Sequence, residues 1–306
     1  MSSKRAAVIG AGLAGVASAM TLRDAGWQVV VFEKSRGWGG RCATKRIEGC
    51  VVDHGAQYFT MRNPDFEAAV RKACGDSLGE ILAPVLDGRG SALEDGRMFY
   101  HADGNNRLVR ALGEGLEVRT GIELTGIKGR CIGGEDFDLV VSTPPWPQTC
   151  KLAGLDTTTN PYAPCLALLS AYATEWPGKT SERYAVRDET ASELAWSACE
   201  NHKPGRIPAG TTVLVSHASE AFSRAFLDGE SAEWESRLRR ATEDLWEIPA
   251  VALKWSLTHR WRYARVVEKP MRAVLPEGWV FAGDLLEASR VESAWLAGRR
   301  AVSEWL

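Results

Sequence analysis

Three glycines, Gly10, Gly12 and Gly15, stand in G-x-G-x-x-G spacing, and an acid, Glu33, follows about 20 residues on. Gly10 allows a tight turn, Gly12 lets the backbone approach a pyrophosphate, and Gly15 lets a helix pack close to a strand. The helix that follows Ala14 and Gly15 would offer unpaired N–H groups and a positive dipole end to phosphates. Glu33 can accept hydrogen bonds from a ribose diol. Lys34 leads into Ser35-Arg36-Gly37-Trp38-Gly39-Gly40-Arg41, whose glycines imply backbone close to a ligand. Arg36 and Arg41 are able to neutralise a pyrophosphate. Tyr58, Trp196, Trp261 and Tyr263 are candidates for the walls of a substrate pocket, and each is equally readable as a core aromatic. No His/Asp pair or paired carboxylate stands out. The five histidines lack metal-ligand spacing, so no metal site is expected.

The elements that hold these residues follow from apolar periodicity. Ala6–Ile9 is a buried strand, Ala17–Ala25 a helix that stops at Gly26, and Gln28–Phe32 a second strand ending at Glu33. Ile47–Val52 reads as one strand and Pro64–Cys74 as a helix with Pro in its first turn. Ile81–Leu86 and Met98–Tyr100 read as strands of a second lobe. Leu108, Leu112 and Leu116 mark a helix after the Asp103–Asn106 turn. Leu116–Arg119, Ile122–Ile127 and Asp138–Ser142 are strand-like, and Thr143–Pro147 reads as a linker. Further strands are expected at Leu166–Ala173, Glu193–Cys199, Thr212–His217 and Val251–Arg262, with an amphipathic helix at Glu233–Trp246. A late strand, Trp279–Ala282, precedes Gly283-Asp284, and Arg290–Leu306 reads as the last helix.

The chain has 306 residues, enough for two lobes. Its net charge of −2 gives no reason to expect nucleic acid or an anionic membrane as partner. No apolar run reaches the ~18 residues of a membrane span. Lys4 and Arg5 precede an apolar run, but glycines in register and a charged helix follow, unlike a secretory signal. Seven cysteines without a C-x-x-C point to reduced thiols in a cytoplasmic protein. Some of the 12 tryptophans are available to line a pocket for a flat ligand. No oligomeric state follows.

Taken together, Gly10-x-Gly12-x-x-Gly15, Glu33, Gly39-Gly40-Arg41 and Phe281-Ala282-Gly283-Asp284 resemble the FAD-binding pattern of the monoamine oxidase-like flavoprotein superfamily. Asp53-His54-Gly55-Ala56-Gln57-Tyr58-Phe59-Thr60 is similar to the signature of renalases and their bacterial relatives. So are Trp196 with Lys203-Pro204-Gly205-Arg206, then Arg260-Trp261-Arg262-Tyr263-Ala264, and Arg290-Val291-Glu292. The resemblance implies an α/β fold. A Rossmann-like FAD-binding lobe of the p-hydroxybenzoate-hydroxylase type (residues 1–75, 103–160 and 266–306) would carry an inserted α+β substrate lobe with an antiparallel sheet (76–102 and 161–265). It implies noncovalent FAD, held by the residues above together with Gln57, Tyr58, Leu124, Gly283, Asp284, Arg290, Val291, Glu292 and Ala294. It also implies an oxidase acting on 2- or 6-dihydro isomers of NAD(P)H, by hydride transfer to flavin N5 with O2 reduced to H2O2. Oxidising a dihydropyridine need not remove a proton, which agrees with the lack of a base constellation. The alternatives are an FAD-dependent amine oxidase and a flavin-binding redox protein without turnover. Lys203 and Arg206 are candidates for a substrate phosphate, although Lys-Pro-Gly-Arg also reads as a solvated loop. Lys203 or Lys254 would assist oxygen activation. One departure is Glu292-Ser293-Ala294, where the superfamily often has Glu-Gly-Ala at the helix that approaches the flavin.

Overall fold

The computed structural model describes residues 3–94, 96–156, 159–174, 179–268, 274–286 and 289–306. Five parallel strands form the first sheet, in the order Trp279–Phe281, Leu139–Ser142, Arg5–Ile9, Gln28–Glu33, Glu117–Thr120. Both faces are apolar, as a parallel sheet requires. Ala6, Val8, Val31, Leu139 and Val141 pack on one side against Ala19 and Leu22 of the helix Leu13–Asp24. Ala7, Ile9, Val30, Phe32 and Val140 pack on the other with Ile132, Phe137 and Leu152. The chain therefore has an α/β Rossmann-like fold with additional sheets.

The second sheet has six strands, in the order Leu253–Val266, Tyr162–Tyr172, Thr212–Ala218, Leu194–Cys199, Ala185–Arg187, Val85–Asp87. All its pairs are antiparallel except the last. The helix Ser231–Trp246 covers one face, with Trp234 and Leu238 against Leu166 and Leu168. On the opposite face Leu169 and Ala171 pack on Cys50 and Val52. Cys50 and Val52 belong to a separate two-stranded hairpin.

Several expected elements change. The single strand over 47–52 is a hairpin, Thr44–Ile47 with Cys50–Asp53, because Glu48 and Gly49 both take positive φ (47° and 78°) and form its two-residue turn. Pro84 divides the run 81–86: Leu78–Ile81 pairs with Met98–His101, while Val85–Asp87 joins the six-stranded sheet. Ile122–Ile127 forms no strand. Among the described residues its backbone is held only at its two ends, Ile122 N–H donating to the carbonyl of Glu33 at the end of a strand and Ile127 N–H to that of Leu152 at the end of a helix. Pro145 caps a helix, Trp146–Leu152, where a linker is expected. A further helix, Glu220–Phe226, starts at Ser219, whose hydroxyl accepts from Phe222 N–H. The helix Asn105–Leu112 stops before Leu116, and the last helix is Val291–Ala301. The strand expected at Val251–Arg262 is Leu253–Val266.

No helix among the described residues is long and apolar enough to cross a membrane.

Candidate active site

The glycine loop sits at the C-terminal edge of the parallel sheet, where open α/β sheets place ligands. Gly10 has φ +99°, and a Cβ there would stand 2.5 Å from Thr143 Oγ1. A Cβ at Gly15 would stand 2.0 Å from the Gly10 carbonyl oxygen, so this glycine serves helix–strand packing and does not line the cavity. Gly12 differs. A Cβ there meets no protein atom closer than 3.9 Å, so packing does not require glycine. The space above it belongs to the cavity.

Glu33 ties this loop down. Its carboxylate accepts from Ala11 N–H (2.8 Å) and Ser35 N–H (2.7 Å) and still lines the cavity. Two carboxylate oxygens offer about four acceptor positions, so a ribose diol can be taken as well. The 35–41 segment is bound to the same loop, Gly39 N–H donating to the Ala11 carbonyl at 3.0 Å. Arg36 is exposed and outside the lining. Arg41 lines the cavity with its guanidinium 2.6 Å from buried Asp284, whose Oδ2 also accepts from Ser289. This ion pair joins the early and late segments of the chain.

These groups line one cavity of about 1490 Å³. Its lining includes Gly10, Gly12, Ala14, Glu33, Lys34, Gly39, Gly40, Arg41, Gln57, Leu124, Gly283, Asp284, Arg290, Val291 and Ala294, and all four aromatic candidates, Tyr58, Trp196, Trp261 and Tyr263. Glu292 does not belong to it. Its Oε1 accepts from Arg62 and Asn63 N–H at 2.7 and 2.5 Å, so it braces the loop that leads into the helix Pro64–Cys74. Ser293 lies within the helix Val291–Ala301, in backbone that needs no glycine.

The aromatic wall is knitted by hydrogen bonds. Trp196 Nε1 donates to Gln57 Oε1 (2.9 Å), and Trp261 Nε1 donates to the His54 carbonyl (3.1 Å). Tyr58 and Trp196 lie 5.9 Å apart between ring centroids, and His54 stacks on Trp261 at 5.4 Å. The same sheet adds His217, the cross-strand partner of Trp196, and His259, on the strand of Trp261, which spacing in the sequence left without a role. His217 continues the period-2 alternation of Val213 and Val215, and that is the signal which marks it as inward-facing. Arg187, also in the lining, had no such signal, because its strand spans only Ala185–Arg187. Burial and the neighbouring His259 and Lys45 hold His54 down to about 3, and burial holds His217 down to about 4. Burial lowers His259 too. The imidazoles are therefore neutral at pH 7. Burial pushes the Cys42 and Cys165 thiols, both in the lining, up to about 12, so neither offers a thiolate.

The Lys203–Arg206 turn is neither solvated nor at the cavity. Lys203 and Arg206 are buried in a four-charge cluster with Asp53 and Glu200, with Lys203 Nζ 2.6 Å from Glu200 and Arg206 Nη1 2.6 Å from Asp53. Asp53 also accepts from Thr44 and from Asn105 N–H, and burial outweighed by Lys203 and Arg206 leaves its carboxyl below the usual range. Burial raises Glu200. Lys254 donates to Thr211 (3.0 Å), outside the lining. Neither lysine is placed to meet oxygen at the cavity. No group of three potential metal ligands occurs among the described residues.

The fold and the glycine loop define a dinucleotide-binding Rossmann unit. Residues 8–73 match the model of the NAD(P)-binding Rossmann-like domain family. Over 79 residues the chain is 44% identical to zeta-carotene-forming phytoene desaturase of Myxococcus xanthus, covering 26% of this chain and 15% of that one. It is 38% identical over 65 residues to protoporphyrinogen oxidase 2 of Arabidopsis thaliana, covering 21% and 13%. The matched stretch thus spans a small part of those relatives. Whole-chain likeness is to solved folds. A protein described as a protoporphyrinogen oxidase from Exiguobacterium sp. 255-15 superimposes with TM-score 0.76 at 13% identity, covering 100% of this chain and 99% of that one. Putrescine oxidase with bound putrescine gives 0.67 at 12%, covering 99% and 98%.

Proposed function

We propose that this chain is an FAD-dependent oxidoreductase of the renalase-like kind, oxidising 2- or 6-dihydro isomers of NAD(P)H to NAD(P)+ and reducing O2 to H2O2. The observation that carries the reading is the single cavity that runs from the Gly10–Gly12 loop to the aromatic wall. At about 1490 Å³ it exceeds the ~300–1,000 Å³ usual for one small-molecule ligand, which leaves room for a cofactor and a substrate together.

The residues present fit FAD. Gly12 is open where packing does not demand it, Glu33 keeps acceptor capacity for a ribose, and Leu124 provides an apolar contact for adenine. When bound, FAD accepts a hydride and passes the electron pair to oxygen. The chain's own part is placement and exclusion of water. Tyr58, Trp196 and Trp261 form flat walls that orient a ring, and such placement contributes much of the rate. The neutral imidazoles add no positive charge beside a ring that becomes cationic. In this reading residues 1–75, 103–160 and 266–306 serve the cofactor and 76–102 and 161–265 the substrate.

The test is anaerobic mixing of the FAD-loaded protein with 2- and 6-dihydronicotinamide dinucleotides and with putrescine and benzylamine. Rapid bleaching of the flavin band by a dihydronicotinamide isomer is expected, with little by the amines. Faster bleaching by an amine replaces the renalase-like reading with an amine oxidase. Flavin that no substrate reduces points to a binding protein without turnover.

A further inference from the structure

Two polar groups of the cavity wall are left over once the wall's own hydrogen bonds are assigned. The first is the amide of Gln57, which is buried and lines the cavity. Its Oε1 accepts from Trp196 Nε1 at 2.9 Å, and that donor fixes which end of the amide is oxygen. The NH2 end therefore faces His217, with the two Nε2 atoms 3.5 Å apart. His217 Nε2 also stands 3.2 Å from the His54 carbonyl, which can only accept. This shorter contact places the imidazole proton on Nε2, where it donates to the His54 carbonyl alongside the Trp261 indole. Gln57 Nε2 thus faces a donor, and its N–H groups have no acceptor among the described residues.

The second group is His217 Nδ1. The proton sits on Nε2 and burial keeps the ring neutral at pH 7, so Nδ1 carries a lone pair. It has no hydrogen-bond partner among the described residues, and it remains accessible where the ring lines the cavity. The leftover donor and the leftover acceptor are neighbours beside Trp196, the cross-strand partner of His217. The other imidazoles of the wall differ. His54 Nδ1 also lacks a partner but is enclosed. His259 packs edge-on against His54 and Trp261 and makes no bond that fixes its tautomer, so it can donate or accept as a ligand requires. His217 is held as an acceptor.

We propose that His217 Nδ1 and the Gln57 amide recognise a primary carboxamide on the substrate ring, Nδ1 accepting its N–H and Gln57 donating to its C=O. A primary carboxamide offers both roles side by side. A carboxylate offers acceptors only and would set its charge against the Nδ1 lone pair. A methyl ketone keeps the C=O and lacks the N–H. This rests on the reading of the preceding subsection and deepens it: the site selects the amide form of the pyridine ring over its acid and ketone forms. Gln57 then serves the substrate rather than FAD.

The experiment uses the FAD-loaded protein and three oxidised pyridine dinucleotides that differ only in the ring substituent: carboxamide, acetyl or carboxylate. Binding is read by perturbation of the flavin spectrum, which needs no turnover. The 6-dihydro forms of the amide and acetyl compounds are read by flavin bleaching. Wild type is expected to bind the amide roughly 10-fold more tightly than the acetyl compound, and the carboxylate more weakly still. His217→Phe keeps a flat ring and removes the acceptor. It should bring the amide down to the level of the acetyl compound and leave the acetyl compound unchanged. His217→Asn offers an amide oxygen near the place of Nδ1 and should keep part of the preference. Equal affinity of wild type for amide and acetyl overturns the carboxamide site without any variant. So does an amide preference that survives His217→Phe. So does an equal loss for all three ligands in that variant, which marks a structural role for the ring, or its loss of FAD, which assigns the acceptor to the flavin. If the oxidised compounds show the ranking and its loss while no dihydro compound bleaches the flavin, the carboxamide site stands and the oxidase reading falls. If the dihydro compounds bleach it and amide and acetyl forms are not distinguished, the oxidase reading stands and the carboxamide site falls.

Discussion

Gly12 and Gly15 share a motif but do different work. At Gly15 a Cβ collides with the Gly10 carbonyl, a rigid neighbour at 2.0 Å, whereas at Gly12 the nearest protein atom is 3.9 Å away. Gly12→Val is therefore expected to fold with a near-normal melting temperature yet purify without flavin, since its side chain fills the approach of the pyrophosphate. Gly15→Val is expected to lose folded protein altogether. Flavin content against thermal unfolding separates the two. A fully flavin-loaded Gly12→Val protein would remove the pyrophosphate from this loop. At the same scale, Tyr58→Ala or Trp261→Ala widens the slot. Flavin content should stay unchanged while the reduction rate by a dihydronicotinamide falls on the order of 100-fold, measured by rapid mixing.

Between elements, the buried charges hold the hairpin Thr44–Asp53 to the rest. Asp53 receives the first N–H of the helix Asn105–Leu112, while Arg206 donates to the His101 and Ala102 carbonyls and Lys203 closes on Glu200. One end of the hairpin thus meets that helix and the six-stranded sheet at a single point. Directly after Asp53 the chain enters His54–Tyr58 at the cavity. Removing one partner of such a cluster leaves a buried charge uncompensated, and Lys203→Met is expected to cost about 3–5 kcal/mol in denaturant unfolding. Arg97→Ala, which breaks an exposed pair with Glu80, should leave the unfolding midpoint almost unchanged. Similar losses for the two would deny the cluster its structural role.

For the whole molecule, acid is the sensitive direction. All five histidines are held below their ordinary values, with burial the leading cause in each: His54 (to about 3), His217 (to about 4), and His101, His202 and His259. An unfolded chain protonates them near pH 6.5, whereas in the folded chain His217 resists until about pH 4 and His54 until about pH 3, and the other three are shifted in the same direction. The unfolded state therefore binds more protons across that window, and stability rises with pH through it. Acidification from pH 7 to pH 5 should lower stability by on the order of 1–2 kcal/mol for each strongly shifted histidine. His217→Gln should flatten the dependence of melting temperature on pH between 4 and 6.5. An unchanged slope would mean that His217 does not carry the effect.

The nucleotide-binding half was legible because its signals are local. A tight turn, a close helix–strand contact and an acid at a strand end each dictate residue types within some 30 residues of chain. The sequence alone therefore determined the Rossmann-like start, the 35–41 loop and the aromatic candidates. Tertiary structure decided which charges are free and which are spent. Lys203-Pro204-Gly205-Arg206 reads as a surface turn because its carboxylate partners include Asp53, 150 residues from Lys203. Glu292 reads as a cofactor group because nothing local reveals that it braces Arg62 and Asn63. That Trp196, His217 and His259 line one cavity is likewise invisible in the chain, since cross-strand register, and not spacing along the sequence, sets which side chains share a wall.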